Sequence, residues 1–340
     1  MKAVVLEDKR KLVVKDIEEP KNSDDVLIEV VMSGICGSDL HYFEAGEPKG
    51  LIMGHEFCGK VLNPGNRIDL EIGDLVTALP ISPCGHCQAC ESGNPQYCRN
   101  TWTDAVGLSL TRNGALSEKI LVRPDMVVKV PVNTEPTDMA MVEPTAVALH
   151  AVHLADIKLG AKVLVIGSGI IGMLSALLAK KEGASVVNIS EANPNRGQKA
   201  LYLGVADKCY NAKSQNMVNE AINDSNGGYD VVIECCGNSA AVTTAFATVR
   251  PGGTVVLVGV ATSAISVPTI LAVMNELTVK GAIGYTKDEF IKCVDMIATG
   301  AINVKKFIDD IVPFDKVQNA YERLTSGNDA AVKILVNPKL

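Results

Sequence analysis

Cys84, Cys87, Cys90 and Cys98 stand close together in the segment SPCGHCQACESGNPQYC. Thiolates are soft, negatively charged ligands, and four of them close a tetrahedral site around zinc that leaves no position for a substrate. The metal then replaces the hydrophobic core that so short a loop lacks. Two disulfides are the alternative, and they belong to an oxidising compartment. The N-terminal MKAVVLEDKR has no long apolar core of an export signal. The spacing therefore predicts a structural zinc.

A second group of residues suits a different chemistry. GICGSDLHYF carries Cys36, Ser38, Asp39 and His41, and GLIMGHEFCG carries His55 and Glu56. Cys36 and His55 are ordinary zinc ligand types set among loop-forming glycines. Taken alone, a buried cysteine beside a core histidine is the commoner explanation. Glu143, in MVEPTAVALH, adds weight. A carboxylate just before a proline-started helix, amid apolar neighbours, is oddly placed for a surface charge. His150 and His153 share a helix face at i and i+3, and they read as packing residues.

A third feature is a phosphate cradle. Gly167-Ser168-Gly169-Ile170-Ile171-Gly172 follows the apolar run KVLVI and opens the helix-forming MLSALLAKK. Gly167 permits a tight turn, Gly169 lets backbone N–H groups approach a pyrophosphate, and Gly172 lets helix and strand pack closely. The helix N-terminus supplies partial positive charge. Glu191 follows the next strand, SVVNIS, and a carboxylate there takes both adenosine ribose hydroxyls while repelling a 2′-phosphate. NAD is expected over NADP, although Ser190 and Arg196 are groups that accommodate a phosphate.

These sites need elements to hold them. With 340 residues, the chain has room for about two domains. Up to about residue 145, short β-segments are broken by Gly and Pro: Lys2–Leu6, Val26–Val31, Cys58–Leu62, Asp74–Thr77 and Ala115–Val122. Near Lys158 the pattern changes to apolar strands alternating with helical stretches, the mark of a parallel sheet covered on both faces. The expected α/β architecture is a mostly-β catalytic domain, 1–148 and 285–340, interrupted by a doubly wound dinucleotide-binding domain, 149–284. The net charge of −7 argues against nucleic acid or an anionic membrane as partner. No stretch reaches the roughly 18 apolar residues of a membrane span. A reducing, cytoplasmic setting is expected, with Cys58, Cys209, Cys235, Cys236 and Cys293 as buried small residues.

GICGSDLH, GHEF, the cysteine quartet, EIGDLV, MVEPTAVALHA, VLVIGSGIIG and RPGGTVVLVG occur in that order along the whole chain. In this the sequence closely resembles the zinc-containing medium-chain alcohol and polyol dehydrogenases. The resemblance implies a GroES-like catalytic domain and a Rossmann domain, two Zn2+ per chain, NAD as cofactor and a homodimer or homotetramer. It implies that Cys36 and His55 bind a catalytic zinc, completed by Glu56 or Glu143. It further implies that Ser38 accepts the alcohol proton and relays it through the nicotinamide ribose to His41. Neighbouring strand residues point to opposite faces, so His55 and Glu56 chelate together only where the backbone bends.

CGSDLHYFEAG resembles the segment of sorbitol dehydrogenases in which a tyrosine such as Tyr42 lines the substrate pocket. Those enzymes tend to carry an arginine for polyol hydroxyls where this chain has Gly284-Tyr285, more like butanediol dehydrogenases. A small secondary alcohol, vicinal diol or short polyol is therefore expected. L-Threonine and polyol phosphates, the latter near Lys49, are alternatives. A zinc-poor dinucleotide-binding protein without catalysis is the non-enzymatic one, and metal content separates it.

Overall fold

Alternating apolar and charged residues at the N-terminus produce a hairpin. In the computed structural model, which describes residues 1–21 and 24–340, β1 (Lys2–Asp8) pairs antiparallel with β2 (Lys11–Asp16), Val4 opposite Val14. β3 (Val26–Gly34) runs into α1 (Gly37–Ala45), and β4 (Glu56–Asn63) and β5 (Leu75–Ala78) follow. A single turn, α2 (Gln88–Glu91), precedes β6 (Lys119–Val122) and β7 (Val127–Lys129). A second short turn, α3 (Pro136–Met139), leads to α4 (Val142–Ala155). The strand expected from Ala115 begins only at Lys119. Ala115 and Leu116 give their N–H groups instead to the carbonyls of Gly54 and Met53, at 2.7 and 2.9 Å.

The middle of the chain alternates regularly. β8 (Lys162–Ile166), α5 (Ile170–Lys181), β9 (Val186–Glu191), α6 (Pro194–Tyr202) and β10 (Lys208–Asn211) come first. α7 (Met217–Asp224), β11 (Tyr229–Glu234), α8 (Ser239–Thr248), β12 (Val249–Leu257), α9 (Thr269–Met274) and β13 (Thr278–Gly281) complete it. The strands are parallel in the order β10-β9-β8-β11-β12-β13. Val163, Leu164, Val165, Val232 and Ile233 are fully buried, as a sheet covered on both faces requires. Strand order reverses about β8 and β11, so their carboxyl ends form the topological switch point. β10 escapes the sequence reading because KCYN is short and largely polar.

α10 (Lys287–Ala298), β14 (Asp310–Val312), α11 (Val317–Thr325) and β15 (Ile334–Val336) close the chain. β15 pairs with the end of β3, Leu335 opposite Gly34, and joins a seven-stranded sheet ordered β14-β15-β3-β4-β5-β7 with β6 on β3. The molecule divides into two compact units: Met1–Ala146, Tyr285–Gly327 and Lys333–Leu340, and Val147–Gly284 with Asn328–Val332. Residues Asn328–Val332 thus go with the dinucleotide fold, although the sequence reading puts all of 285–340 in the other unit. There Asn193 Nδ2 donates to the Asp329 carbonyl at 2.9 Å. Among the described residues, no helix is long and apolar enough to cross a membrane.

Candidate active site

The cysteine loop is wrapped as a ligand cage. The sulfurs of Cys84, Cys87, Cys90 and Cys98 all lie within 4.8 Å of one another. Cys84 and Cys90 are 4.0 Å apart and Cys87 and Cys90 3.5 Å, close to the ~3.8 Å edge of a tetrahedron with Zn–S of about 2.3 Å. Backbone N–H groups of Cys84 and Asn100 donate to Cys98 Sγ, both at 3.4 Å. Those two donors bring the Cys98 thiol down to about 6, while burial pushes Cys90 up to about 11. Four convergent sulfurs held by amides fit a structural zinc.

The second group is assembled where β3 ends. Cys36 caps α1, and its N–H donates to Asp39 Oδ2 at 3.0 Å. Asp39 is fully buried, and its other oxygen lies 3.4 Å from His55 Nδ1. One carboxylate therefore starts the helix and faces the imidazole. His55 Nε2 stands 3.3 Å from Ser38 Oγ. Burial lowers the basicity of His55, but Asp39 and Cys36 outweigh it and raise the imidazole well above its usual range. Burial and Glu56 raise the Cys36 thiol. Gly54 has φ +97°, which bends the chain just before β4, so His55 precedes the strand and Glu56 begins it. His41 is exposed and Tyr42 half-buried, both on α1.

The two candidate glutamates are held differently. Glu56 and Lys333 form an ion pair with both side chains 0% exposed. Lys333 Nζ also donates to the Ile35 carbonyl at 2.9 Å. A Cβ on Gly34 would lie 2.2 Å from Glu56 Oε2, so only glycine leaves room for that carboxylate. Glu143, in the first turn of α4, accepts at Oε1 from the Tyr285 hydroxyl at 2.9 Å. Burial pushes its carboxyl up to about 7 against the pull of His55. Among the described residues the cysteine quartet is the one group of three or more such side chains that closes to 4.8 Å. Cys36, His55, Glu56 and Glu143 share a buried neighbourhood without meeting that spacing as a set. Their donor types nevertheless fit zinc: thiol, imidazole and carboxylate, with Glu56 Oε1 left without a hydrogen-bond partner.

The glycine loop has the form its sequence requires. Gly167 has φ +96°, and a Cβ on Gly172 would lie 1.9 Å from the Gly167 carbonyl oxygen. A Cβ on Gly169 would meet nothing within 4 Å, which leaves the start of α5 open to a phosphate. Ile170 is buried and Ile171 half-buried in the helix's first turn. Glu191 Oε2 accepts from the N–H and hydroxyl of Ser168 at 2.7 and 2.8 Å, and Oε1 from Asn193 N–H at 2.7 Å. A pocket of about 420 Å³ adjoins it, lined among others by Asn193, Gly197, Asn211 and Lys213. Arg196 lies on α6 and is half-buried.

Comparisons decide the family. Residues 22–132 match the alcohol dehydrogenase GroES-like domain and residues 171–299 the zinc-binding dehydrogenase domain. The sorbitol dehydrogenase of Bacillus subtilis is 31% identical over 99% of this chain and 97% of its own. This chain belongs to the zinc-binding alcohol dehydrogenase family. The fold agrees with solved relatives. The 2R,3R-butanediol dehydrogenase of Bacillus subtilis superposes with a TM-score of 0.88 at 30% identity, covering 99% of each chain. A zinc-binding dehydrogenase of Sinorhizobium meliloti 1021, solved bound to NADP, gives 0.88 at 32% identity, again over 99% of each. The chain is thus an NAD(P)-dependent dehydrogenase that uses zinc and a small-molecule alcohol, of the polyol and diol type.

Several partners in this dehydrogenase carry little local sequence signal. Lys333 was legible in principle as a lone charge within AVKILV. Ser168 and Tyr285 gave no comparable signal as partners of Glu191 and Glu143. His150 is buried as a packing residue should be, but His153 is exposed. Cys58 and Cys293 are buried and Cys209 and Cys235 half-buried, whereas Cys236 is exposed at the end of β11.

Proposed function

We propose that the enzyme oxidises a small secondary alcohol, vicinal diol or short polyol with NAD, using a zinc held by Cys36, His55 and Glu143. The observation that carries this is the convergence of half-buried Ser38 and Cys36 on buried His55 at the head of α1, with Asp39 behind the imidazole. Glu56 is neutralised by Lys333, which leaves Glu143 as the carboxylate for the metal. Zinc there supplies Lewis acidity that lowers the pKa of the substrate hydroxyl, and bound NAD supplies the hydride acceptor. Asp39 fixes the ring of His55, as carboxylates behind ligating histidines do. Ser38 Oγ would accept the alcohol proton, and the exposed His41 on the same helix would release it to solvent.

The second zinc belongs to Cys84, Cys87, Cys90 and Cys98. NAD is favoured because the Glu191 carboxylate, pinned by Ser168 and Asn193, repels a 2′-phosphate. The NADP in the Sinorhizobium relative makes the cofactor ratio worth measuring, and a higher kcat/KM with NADP overturns the role of Glu191. Tyr285 is 3% exposed and its hydroxyl is engaged by Glu143, so it offers no free donor to a long polyol. Tyr42, half-buried beside His41, lines the substrate side.

The convergence of the Cys84, Cys87, Cys90 and Cys98 sulfurs as a ligand set, not as pairs, supports a reducing, cytoplasmic setting. β13 is an open sheet edge, and Ile270, Val273 and Met274 nearby are 71%, 75% and 75% exposed. An apolar edge of this kind supports pairing with a second copy in a homodimer or homotetramer. The test of substrate class is NAD reduction by the zinc-loaded protein over vicinal diols, polyols, polyol phosphates and L-threonine. The highest kcat/KM is expected with a diol or short polyol. Preference for threonine or a phosphate ester refutes the assignment.

A further inference from the structure

We infer that Glu234 is a positioning residue for the dinucleotide, its buried carboxylate holding the loop after β11 against the glycine loop. Glu234 ends β11 and is 0% exposed. No cation pairs with it among the described residues, and Oε2 has no hydrogen-bond partner. A buried carboxylate without a cation costs stability, and an apolar residue would fill the same place more cheaply. What the carboxylate does is local and specific. Oε1 accepts from the N–H groups of Cys236 and Gly237, at 2.6 and 2.9 Å. The backbone carbonyl of the same residue accepts from Val258 and Gly259, at 2.8 and 3.0 Å. One residue therefore holds the exits of two strands.

Those exits abut the phosphate cradle. Cys236 Sγ donates to the Ile166 carbonyl at 3.4 Å, and a Cβ on Gly167 would lie 2.6 Å from that sulfur. The two exit loops touch each other through glycines. A Cβ on Gly237 would lie 2.6 Å from the Val260 carbonyl oxygen, and one on Gly259 would lie 2.1 Å from Gly237 N. The chain of contact runs from Glu234 through Cys236 to the first glycine of the cradle, at the switch point where a dinucleotide is bound. Without the clamp the cradle samples other arrangements, and apparent affinity falls by the fraction of time it is correctly formed.

The inference rests on the glycine loop being the pyrophosphate site, and the experiment separates the two. NADH affinity is measured by titration calorimetry on the zinc-loaded protein and on Glu234→Ala, Glu234→Gln, Gly237→Ala and Gly169→Asp. Glu234→Ala should raise the NADH Kd about tenfold, which a cradle formed a tenth of the time gives. Glu234→Gln keeps an acceptor oxygen and should stay within about threefold. In both, kcat at saturating NAD should change less than the Kd. A Glu234→Ala Kd within twofold of the native enzyme, or equal losses in Ala and Gln, overturns the inference. If Glu234→Ala does not fold, Gly237→Ala decides: it forces the two loops apart, so native NADH affinity there overturns it equally. Gly169→Asp places a negative charge where nothing obstructs it. Undiminished NADH binding in that variant refutes the cradle itself, not the role of Glu234.

Discussion

Lys333→Met in this dehydrogenase is a sharp test of how its buried charges are arranged. Methionine is unbranched and flexible and fills the lysine's path without leaving a large cavity, so the change reads mainly the charge. Lys333 and Glu56 are both 0% exposed, and removing one partner of a buried pair costs ~3–5 kcal/mol because the other charge is stranded. Burial alone would lower the lysine's pKa, yet Glu56 more than offsets it and the net shift is upward. The single tryptophan, Trp102, lies in the same unit as the pair, so its fluorescence in urea follows that unit. The transition midpoint should fall with little change in slope. Glu56→Gln combined with Lys333→Met removes both charges and should recover most of the loss, to within ~1–2 kcal/mol of the native protein. A single variant costing less than ~1 kcal/mol, or a double variant no better than the single, refutes the reasoning.

Gly34→Ala should cost ~1–3 kcal/mol by overpacking, since its Cβ would meet Glu56 Oε2 at 2.2 Å; a native transition by Trp102 fluorescence contradicts that. In metal-free protein, burial holds the Glu143 carboxyl at about 7, above the ordinary 4.5. The folded state then keeps a proton that the unfolded state has released, so the contribution of Glu143 to stability is full below pH 4.5 and is lost as pH rises through 7. The decline is on the order of 3 kcal/mol, and melting of chelator-treated protein against pH should show it in the native chain but not in Glu143→Gln. A pH profile in which the two chains run in parallel overturns the assignment. Cys84→Ser should remove one zinc and lower the melting temperature while affecting kcat much less, as metal analysis and turnover on one sample will show.

The alternating middle of the chain was readable because continuous apolar runs and a glycine triplet leave few other folds open. Its strands KVLVI, SVVNIS and YDVVIE all lie in the parallel sheet. β10 was missed because KCYN carries no apolar periodicity, and its position comes from pairing with β9. The cysteine quartet declared itself through spacing alone. The partners did not: Lys333 is 277 residues from Glu56 and Tyr285 is 142 from Glu143, and local pattern carries no signal for such pairings. Ala115–Val122 has the composition of a strand throughout, yet Ala115 and Leu116 bond to the turn at Met53 and Gly54. There tertiary contact overrode propensity.

Zinc content measured alongside turnover tests the central claim most directly. The native chain should hold two zincs, and Cys36→Ser should hold one, with nearly all turnover lost while NADH binding and folding persist. Two zincs and undiminished turnover in Cys36→Ser would contradict the account.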